Sequence, residues 1–272
     1  MIRITPSPYL ALFKMKLIAG LQYRAAAWSG VATQFFWGFM LISIYLAFYN
    51  SGGTAEKMPW PQLVSYLWLH QAFIAIIMLW WQDGELLSSI TDGHVAYELC
   101  RPGDLFGLWY ARLLAMRFSN VALRFGPIMV LAFLLPRTYR LSPPADFGAF
   151  GLFLLSLALA ALLNVAVSMF VYILTFITLS PVGSRLLIGV ASEFLMGSLI
   201  PIPLMPVWLQ RALDFFPFRY MSDLPFRLWS GHIVGWDAAW QIAVQALWII
   251  ALVLLGRLCF GKVMKRVVIQ GG

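Results

Sequence analysis

Charged residues are scarce in this chain. Asp, Glu, Lys and Arg make up 11% of the 272 residues, whereas about a quarter is usual in soluble domains. So few charges cannot cover the apolar surface that a 61% hydrophobic composition would expose in a soluble globule. Soluble, disordered and fibrous classes are therefore excluded, and we predict an all-α integral membrane protein. The length allows about five to seven spans of about 20 residues each.

Catalytic motifs are missing as well. The three histidines, His70, His94 and His232, lie far apart, and no H-E-x-x-H or G-x-S-x-G pattern occurs. The two cysteines, Cys100 and Cys259, form neither a zinc motif nor a disulfide framework. We therefore predict no catalytic residue, no metal site and no cofactor in this chain.

One segment partly matches a phosphate-binding loop. Gly256, Gly261 and Lys262 have the right spacing, but Val263 replaces the Ser or Thr that would bind magnesium. The segment also continues an apolar helix, whereas a phosphate-binding loop follows a strand. We therefore predict that the chain does not bind or hydrolyse ATP by itself.

Apolar runs predict the topology of a single domain, residues 1–272. Six transmembrane helices are expected, over residues 28–49, 63–82, 109–135, 148–179, 186–200 and 238–260. Residues 7–27 are predicted to form an amphipathic helix in the headgroup plane, although a cytosolic start of the first span would also fit. Residues 201–235 are apolar but broken by prolines, which favours short re-entrant helices on the outer side.

Basic residues predict the orientation. The net charge of +8 comes from Lys and Arg at the ends of apolar runs, a pattern typical of topology signals rather than of nucleic-acid binding. With both termini in the cytoplasm, the inner side carries about twice as many Lys and Arg residues as the outer side. Both cysteines then lie at the reducing inner face, so no disulfide is expected.

The inner region 83–106 is the most polar part of the chain and holds nearly half of its acids. A short helix, a break at Gly93 and a stop at Arg101 and Pro102 would form a small projection between two spans. Such a projection would suit the transmission of force from a soluble partner. An ordinary loop is the alternative.

Two charged residues lie mid-way along predicted spans. Arg124 lies in the third span and Glu193 in the fifth, where charges are costly and need partners. We expect them either to pair inside the bundle or to line a polar path. Small and polar residues also recur every four positions in the fourth span, which indicates close packing within the chain or a face toward a pathway or second subunit. These residues are Ser156, Ala160, Asn164 and Ser168.

The segment 201–235 combines helix breakers with aromatic side chains. Pro201 and Pro206 interrupt its helices, and Trp208 and Phe216 follow them. These aromatic residues are candidates for interfacial anchors or for part of an exit gate.

The order of these features resembles that of permease subunits of type-2 ABC exporters. The likeness is to a bacterial branch that works with a second, related permease, and it covers nearly the whole chain. It rests on the amphipathic helix before the first span, the stretch from Glu85 to Pro102, the proline-rich segment from Gly197 to Gly231, and the Gly271-Gly272 ending. Cys100 departs from the aliphatic residue more usual in that branch.

The resemblance implies a permease of the bacterial inner membrane that carries its substrate outward. Its partners would be a cytosolic ABC ATPase dimer, which binds ATP and Mg, and a second permease, related rather than identical. The N-terminal helix would relay the movement of the coupling region to the bundle. The coupling residues that the resemblance implies are Glu85, Ile90, Thr91, Asp92, Gly93 and Arg101.

Two other classes of protein stay open. A secondary transporter driven by an ion gradient would use Glu193 and Arg124, because buried charges often carry protons or ions. Six spans without an internal repeat are few for that class. A membrane-embedded enzyme or an assembly scaffold is the third class, and the lack of a His, Asp and Glu cluster disfavours the enzyme.

Overall fold

A computed structural model describes residues 7–51, 58–99 and 103–265, and every regular element in these ranges is helical. Two 3-10 turns, Ile202–Leu204 and Pro217–Met221, lie in the proline-rich segment. The α-helices, in chain order, are α1 (Pro8–Gly20), α2 (Arg24–Asn50), α3 (Trp60–Ile77), α4 (Gly84–Thr91), α5 (Val95–Leu99), α6 (Leu105–Leu134), α7 (Phe147–Thr178), α8 (Pro181–Leu195), α9 (Val207–Leu213), α10 (Asp223–Trp229) and α11 (Gly235–Met264).

Four of these helices are long and apolar enough to cross a membrane, and the chain is therefore a membrane protein. They are Ala25–Asn50, Leu105–Leu134, Phe147–Thr178 and Gly235–Met264. The second and fifth predicted spans, 63–82 and 186–200, correspond to α3 and α8. These two helices have only 18 and 15 residues, whereas a span needs about 20.

The helices α3 and α7 form the centre of the bundle. Every residue of α3 from Leu63 to Ile77 is buried, although this helix carries His70 and Gln71. The helix α7 packs against α11, α10, α8, α6, α4 and α3. In the most apolar 18-residue stretch of α7, 56% of the residues are buried, whereas the share is 11% in the corresponding stretch of α11. Most of the surface of α11 is therefore exposed.

The N-terminal helix is shorter than the predicted amphipathic segment, and its apolar residues are not concentrated on one face. The helix α1 begins at Pro8, where the Ser7 hydroxyl accepts the Leu10 N–H at 3.4 Å, as expected of an N-cap. It ends at Gly20, so the predicted range 7–27 includes the first turn of α2. No residue of α1 is buried, and the helix lies along α6, where Phe13 packs edge-on against Phe118.

The proline-rich segment is compact rather than extended. Each of its two short helices begins close to a proline, because proline fits the first turn of a helix but cannot continue one. The helix α10 is almost wholly buried and packs against α3 and α7. By contrast, Trp208 and Phe216 are exposed, so the segment has an inner wall and an outer aromatic edge.

Candidate functional site

A small projection, formed by α4 and α5, follows the end of α3. The Asp83 carboxylate accepts the N–H groups of Glu85 and Leu86 at 3.0 and 3.3 Å and so caps α4. Gly93 separates the two helices with a φ of +76°, a left-handed conformation that glycine adopts without steric cost. The predicted short helix and the predicted break at Gly93 are thus both present.

The projection divides the predicted coupling residues into two groups. Glu85, Thr91, Asp92 and Gly93 are exposed. Ile90 instead packs inside the bundle with Leu86 and Leu87 of the same helix, so its side chain anchors the projection and offers no surface for docking. Arg101, like the Gly271-Gly272 ending, lies outside the described residues.

A network of four charges ties the projection to the bundle. Arg112 of α6 donates from Nε to Asp83 Oδ2 and from Nη2 to Glu85 Oε2, both at 2.5 Å. Lys16 of α1 donates to the same Glu85 oxygen at 3.2 Å. The Tyr172 hydroxyl of α7 accepts the Asp83 backbone N–H at 2.8 Å. Three helices, α1, α6 and α7, therefore meet at the start of α4.

This network favours the ionised form of Glu85. Hydrogen bonds from Lys16 and then from Arg112 hold the pKa of the Glu85 carboxyl below its ordinary value. The side chain is still 76% exposed, so solvent screens each ion pair. The network is therefore expected to set the position of α1 more than the stability of the whole protein.

Arg117 clamps the other end of the segment that leads into the projection. Its side chain is 2% exposed and donates from Nη1 to the carbonyls of Ile76 and Met78, at 2.7 and 2.9 Å, and from Nη2 to Ser168 at 2.7 Å. The last carbonyls of a helix lack partners and carry partial negative charge. A buried guanidinium here both satisfies them and complements the dipole of α3.

The sequence analysis counted Arg117 only among the inner basic residues. Its role comes from its contact with the end of α3, which lies far from it in sequence, and no local motif indicates such a contact. Helix packing alone brings α6 beside the end of α3.

A cavity of about 620 Å³ opens beside this clamp. It is lined by α2, α3, α6 and α8 together with the linker 78–83 and the residues that follow α8. A cavity of this size is typical of sites for small molecules. Both intramembrane charges line it: Arg124 from α6 and Glu193 from α8.

The two charges do not pair with each other. Among the described residues no ion pair joins Arg124 to Glu193, so the predicted intrabundle pair does not form directly. Each instead meets one of two consecutive tryptophans in the linker: the Trp80 indole N–H donates to the Glu193 carboxylate, and the Arg124 guanidinium carbon lies 4.6 Å from the centre of the Trp81 ring. The alternative that they line a polar path agrees with this arrangement.

Further polar groups line the same cavity without partners. His70 is 5% exposed, and neither of its ring nitrogens has a hydrogen-bond partner. The Gln34 side-chain oxygen and the Ser198 hydroxyl are also buried and unpartnered. Because an unsatisfied buried polar group costs about 1–3 kcal/mol, the presence of several such groups in one cavity makes it a candidate binding site.

The polar stripe of α7 is a packing face. Asn164 donates to the carbonyls of Ala160 and Met221 at 2.8 and 3.1 Å. Ser156 bonds the Gln245 side chain of α11 at 2.9 Å. Asn164 does not line the cavity, so the alternative of packing within the chain accounts for this stripe.

The four residues predicted for an outer gate are not equivalent. Pro201 is buried, whereas Pro206, Trp208 and Phe216 are exposed. None of the four lines the cavity of Arg124 and Glu193. The exposed aromatic pair fits the alternative of interfacial anchors.

A buried ion pair in α10 was missed by sequence reasoning. Asp223 is fully buried, and Arg227 donates to it at 3.2 Å from one turn further on. The four-residue spacing of Asp223 and Arg227 is visible in the sequence, but only the prolines and aromatic residues of this segment were predicted to be functional. Burial, and to a smaller extent the positive charge of Arg227, lowers the pKa of the nearby His232 imidazole.

Comparison with known proteins gives no relative for this chain: no family model, no curated protein and no solved structure matches it. The geometry of the site must therefore stand by itself. Within the described ranges no group of His, Cys, Asp and Glu side chains is arranged to hold a metal ion.

Proposed function

We propose that this chain is the permease subunit of an ATP-driven ABC exporter in the bacterial inner membrane. In this proposal α3 and α8 complete a set of six crossings, and both termini are cytoplasmic. The projection of α4 and α5 docks on a cytosolic ABC ATPase dimer, which binds ATP and Mg. A second permease, related to this one, completes the membrane part, and substrate moves outward.

The linker 78–83 is the observation that carries the proposal. It runs from the end of α3 to the cap of α4, and its two tryptophans contact the two charges of the cavity. Arg117 holds its first residue, and Arg112 holds its last. A short segment fixed at both ends cannot move at one end alone. Displacement of the projection would therefore change the wall of the cavity.

The same network gives the N-terminal helix a part in the movement. Lys16 and Arg112 share one oxygen of Glu85, so a shift of α4 pulls on α1 and α6 together. In the proposed cycle, ATP binding brings the two ATPase subunits together and tilts the projection. The linker then moves Trp80 and Trp81 relative to α8 and α6, which changes access to the cavity.

An exposed charge on the projection offers the sharpest test. Asp92 is exposed at the end of α4, and Asp237 is exposed in the first turn of α11. We expect Asp92→Lys to abolish copurification of the ATPase subunit and transport, while Asp237→Lys leaves both unchanged. Both variants should remain folded, because neither side chain is buried.

Two results would reject the proposal. One is the absence of any ATPase subunit when the natural chain is purified gently from its own membrane. The other is normal transport by Asp92→Lys together with normal copurification.

A secondary transporter is the second candidate function. The observation in its favour is that Glu193 and Arg124 line one cavity without pairing. Transport that persists after ATP depletion and stops on collapse of the proton gradient would favour it. In that case Glu193→Gln should abolish transport, whereas Asp92→Lys should not.

A further inference from the structure

The cavity holds one acid and one guanidinium that have no charged partner in the described part of the chain. Among its described lining residues, Glu193 is the sole carboxylate and Arg124 the sole guanidinium. Glu193 has one indole N–H as its partner, and Arg124 has the face of one indole ring. Each interaction leaves charge uncompensated, because an indole supplies no counter-charge.

The surroundings of Arg124 keep its guanidinium available. Gly30 of α2 lies against it, and a Cβ added there would be 2.9 Å from the guanidinium carbon. The Arg124 Nε donor has no hydrogen-bond partner. Arg124 therefore occupies a recess made by a missing side chain, and its Nε donor is buried there without an acceptor.

The rest of the cavity wall is amphipathic. His70, Gln34 and Ser198 offer unpartnered polar atoms. The apolar part of the wall consists of aliphatic and aromatic side chains, notably Leu41, Ile74, Met78, Leu199 and Trp37. A ligand that matched this wall would have a polar head bearing both charges and an apolar body.

We propose that the cavity binds a zwitterionic amphiphile, with its ammonium group at Glu193 and its phosphate or carboxylate at Arg124. His70 and Gln34 bond neutral polar atoms of the head, and the aliphatic wall takes the hydrocarbon part. This ligand would be the substrate of the exporter proposed above, and its role as a substrate rests on that proposed function. An aminophospholipid of the bilayer and a short peptide from solution share this chemistry.

Binding to the purified chain without any ATPase tests the assignment. Tryptophan fluorescence is the readout, because Trp37, Trp80 and Trp81 line the cavity. Three probes separate the charges and the sources: dihexanoyl-phosphatidylethanolamine has both charges, dihexanoyl-phosphatidylglycerol lacks the amine, and the dipeptide leucyl-leucine has both charges without lipid tails.

The natural chain should bind the ethanolamine lipid at least about tenfold more tightly than the glycerol lipid, since a hydrogen bond to a charged group is worth about that factor or more. Glu193→Gln should remove this preference by weakening only the ethanolamine lipid, while it keeps an acceptor for Trp80. Arg124→Gln should weaken both lipids about tenfold or more. Dipeptide binding as tight as that of the ethanolamine lipid would support the assignment and identify solution as the source.

Two control variants make the same chemical changes elsewhere. Glu98 accepts the indole N–H of Trp109 at 2.6 Å. The Arg257 guanidinium carbon lies 5.4 Å from the centre of the Phe106 ring. Neither lines the cavity. Glu98→Gln and Arg257→Gln should therefore bind all three probes as the natural chain does.

Equal binding of both lipids by the natural chain would overturn the assignment, as would an unchanged preference in Glu193→Gln. Because no ATPase is present, these results are independent of coupling. A chain that binds zwitterions but never associates with an ATPase would refute the proposed exporter and leave the site intact. A coupled exporter without the preference would refute only the site.

Discussion

Removal of the Arg117 guanidinium should destabilise the protein, because this buried group satisfies acceptors inside the bundle. Its Nη1 and Nη2 groups donate to two carbonyls at the end of α3 and to the Ser168 hydroxyl, at 2.7–2.9 Å. In Arg117→Met these acceptors lose their donor inside the bundle. Each unsatisfied acceptor costs about 1–3 kcal/mol, and the Ser168 oxygen still accepts the Gln82 side-chain amide at 3.4 Å, which lowers its share.

The magnitude follows from the two carbonyls that remain without a donor. Together they cost about 4 kcal/mol, at the middle of that range. For a chain of this size, 1 kcal/mol shifts the unfolding temperature by about 2–4 °C. Thermal unfolding in detergent should therefore occur about 8–16 °C lower in Arg117→Met. Arg117→Lys should lie between, because an ammonium group keeps the charge but cannot span acceptors as a fork does.

Arg124→Met is the matched control for this experiment. Arg124 lies in the same helix but is half-buried, stacks on an indole and donates to no described acceptor at Nε. Its loss should lower the unfolding temperature by much less, because a cation–π contact is worth about 0.5–1 kcal/mol when partly exposed. If both variants unfolded at the same temperature, the reasoning that Arg117 holds the end of α3 would be refuted.

Three further predictions follow from single contacts. Gly93→Ala should lower stability by about 1 kcal/mol because of its positive φ, whereas Gly84→Ala, also in open space, should not; chemical denaturation compares them. A spin label on α1 should become more mobile as the pH falls through the lowered pKa of Glu85, since the Lys16 pair persists below the ordinary carboxyl pKa and is lost when Glu85 is protonated at the lowered one; unchanged mobility in Lys16→Met relative to the natural chain would contradict this. Gln245→Leu should detach α11 from α7 and lower the unfolding temperature, because this side chain is fully buried and bonds both α7 and a 3-10 turn; normal unfolding would count against that bridge.

The sequence predicted the membrane class and the positions of the four long apolar helices because hydrophobic composition and period are local properties. It also predicted the break at Gly93, since this depends on residues next to one another. The end of α3 was not predicted correctly from the sequence. The apolar run continues through Trp80 and Trp81, so the predicted span extended to residue 82, whereas the helix ends at Ile77.

The early end of α3 has a physical reason that lies outside the run itself. Arg117 of α6 donates to the carbonyls of Ile76 and Met78. The N–H groups of a following helical turn would otherwise bond such carbonyls. Met78 has an extended backbone, with φ −63° and ψ 128°. The linker thereby becomes free to direct one tryptophan to each charge of the cavity. A helix that continued through both residues would point them about 100° apart around one axis.

The same reasoning explains why the relation of Arg124 to Glu193 was undecided in the sequence. Hydropathy shows that both charges lie within apolar segments, and the cost of such charges predicts that each has a partner. It does not distinguish a direct pair from two separate partners, because that choice depends on residues 80 and 81, which belong to neither segment. Once Trp80 and Trp81 occupy the positions beside Glu193 and Arg124, the two charges stay apart and face a common cavity. A pair of charges that neutralised each other would have left little for a ligand to recognise, whereas this separation leaves both signs available to one.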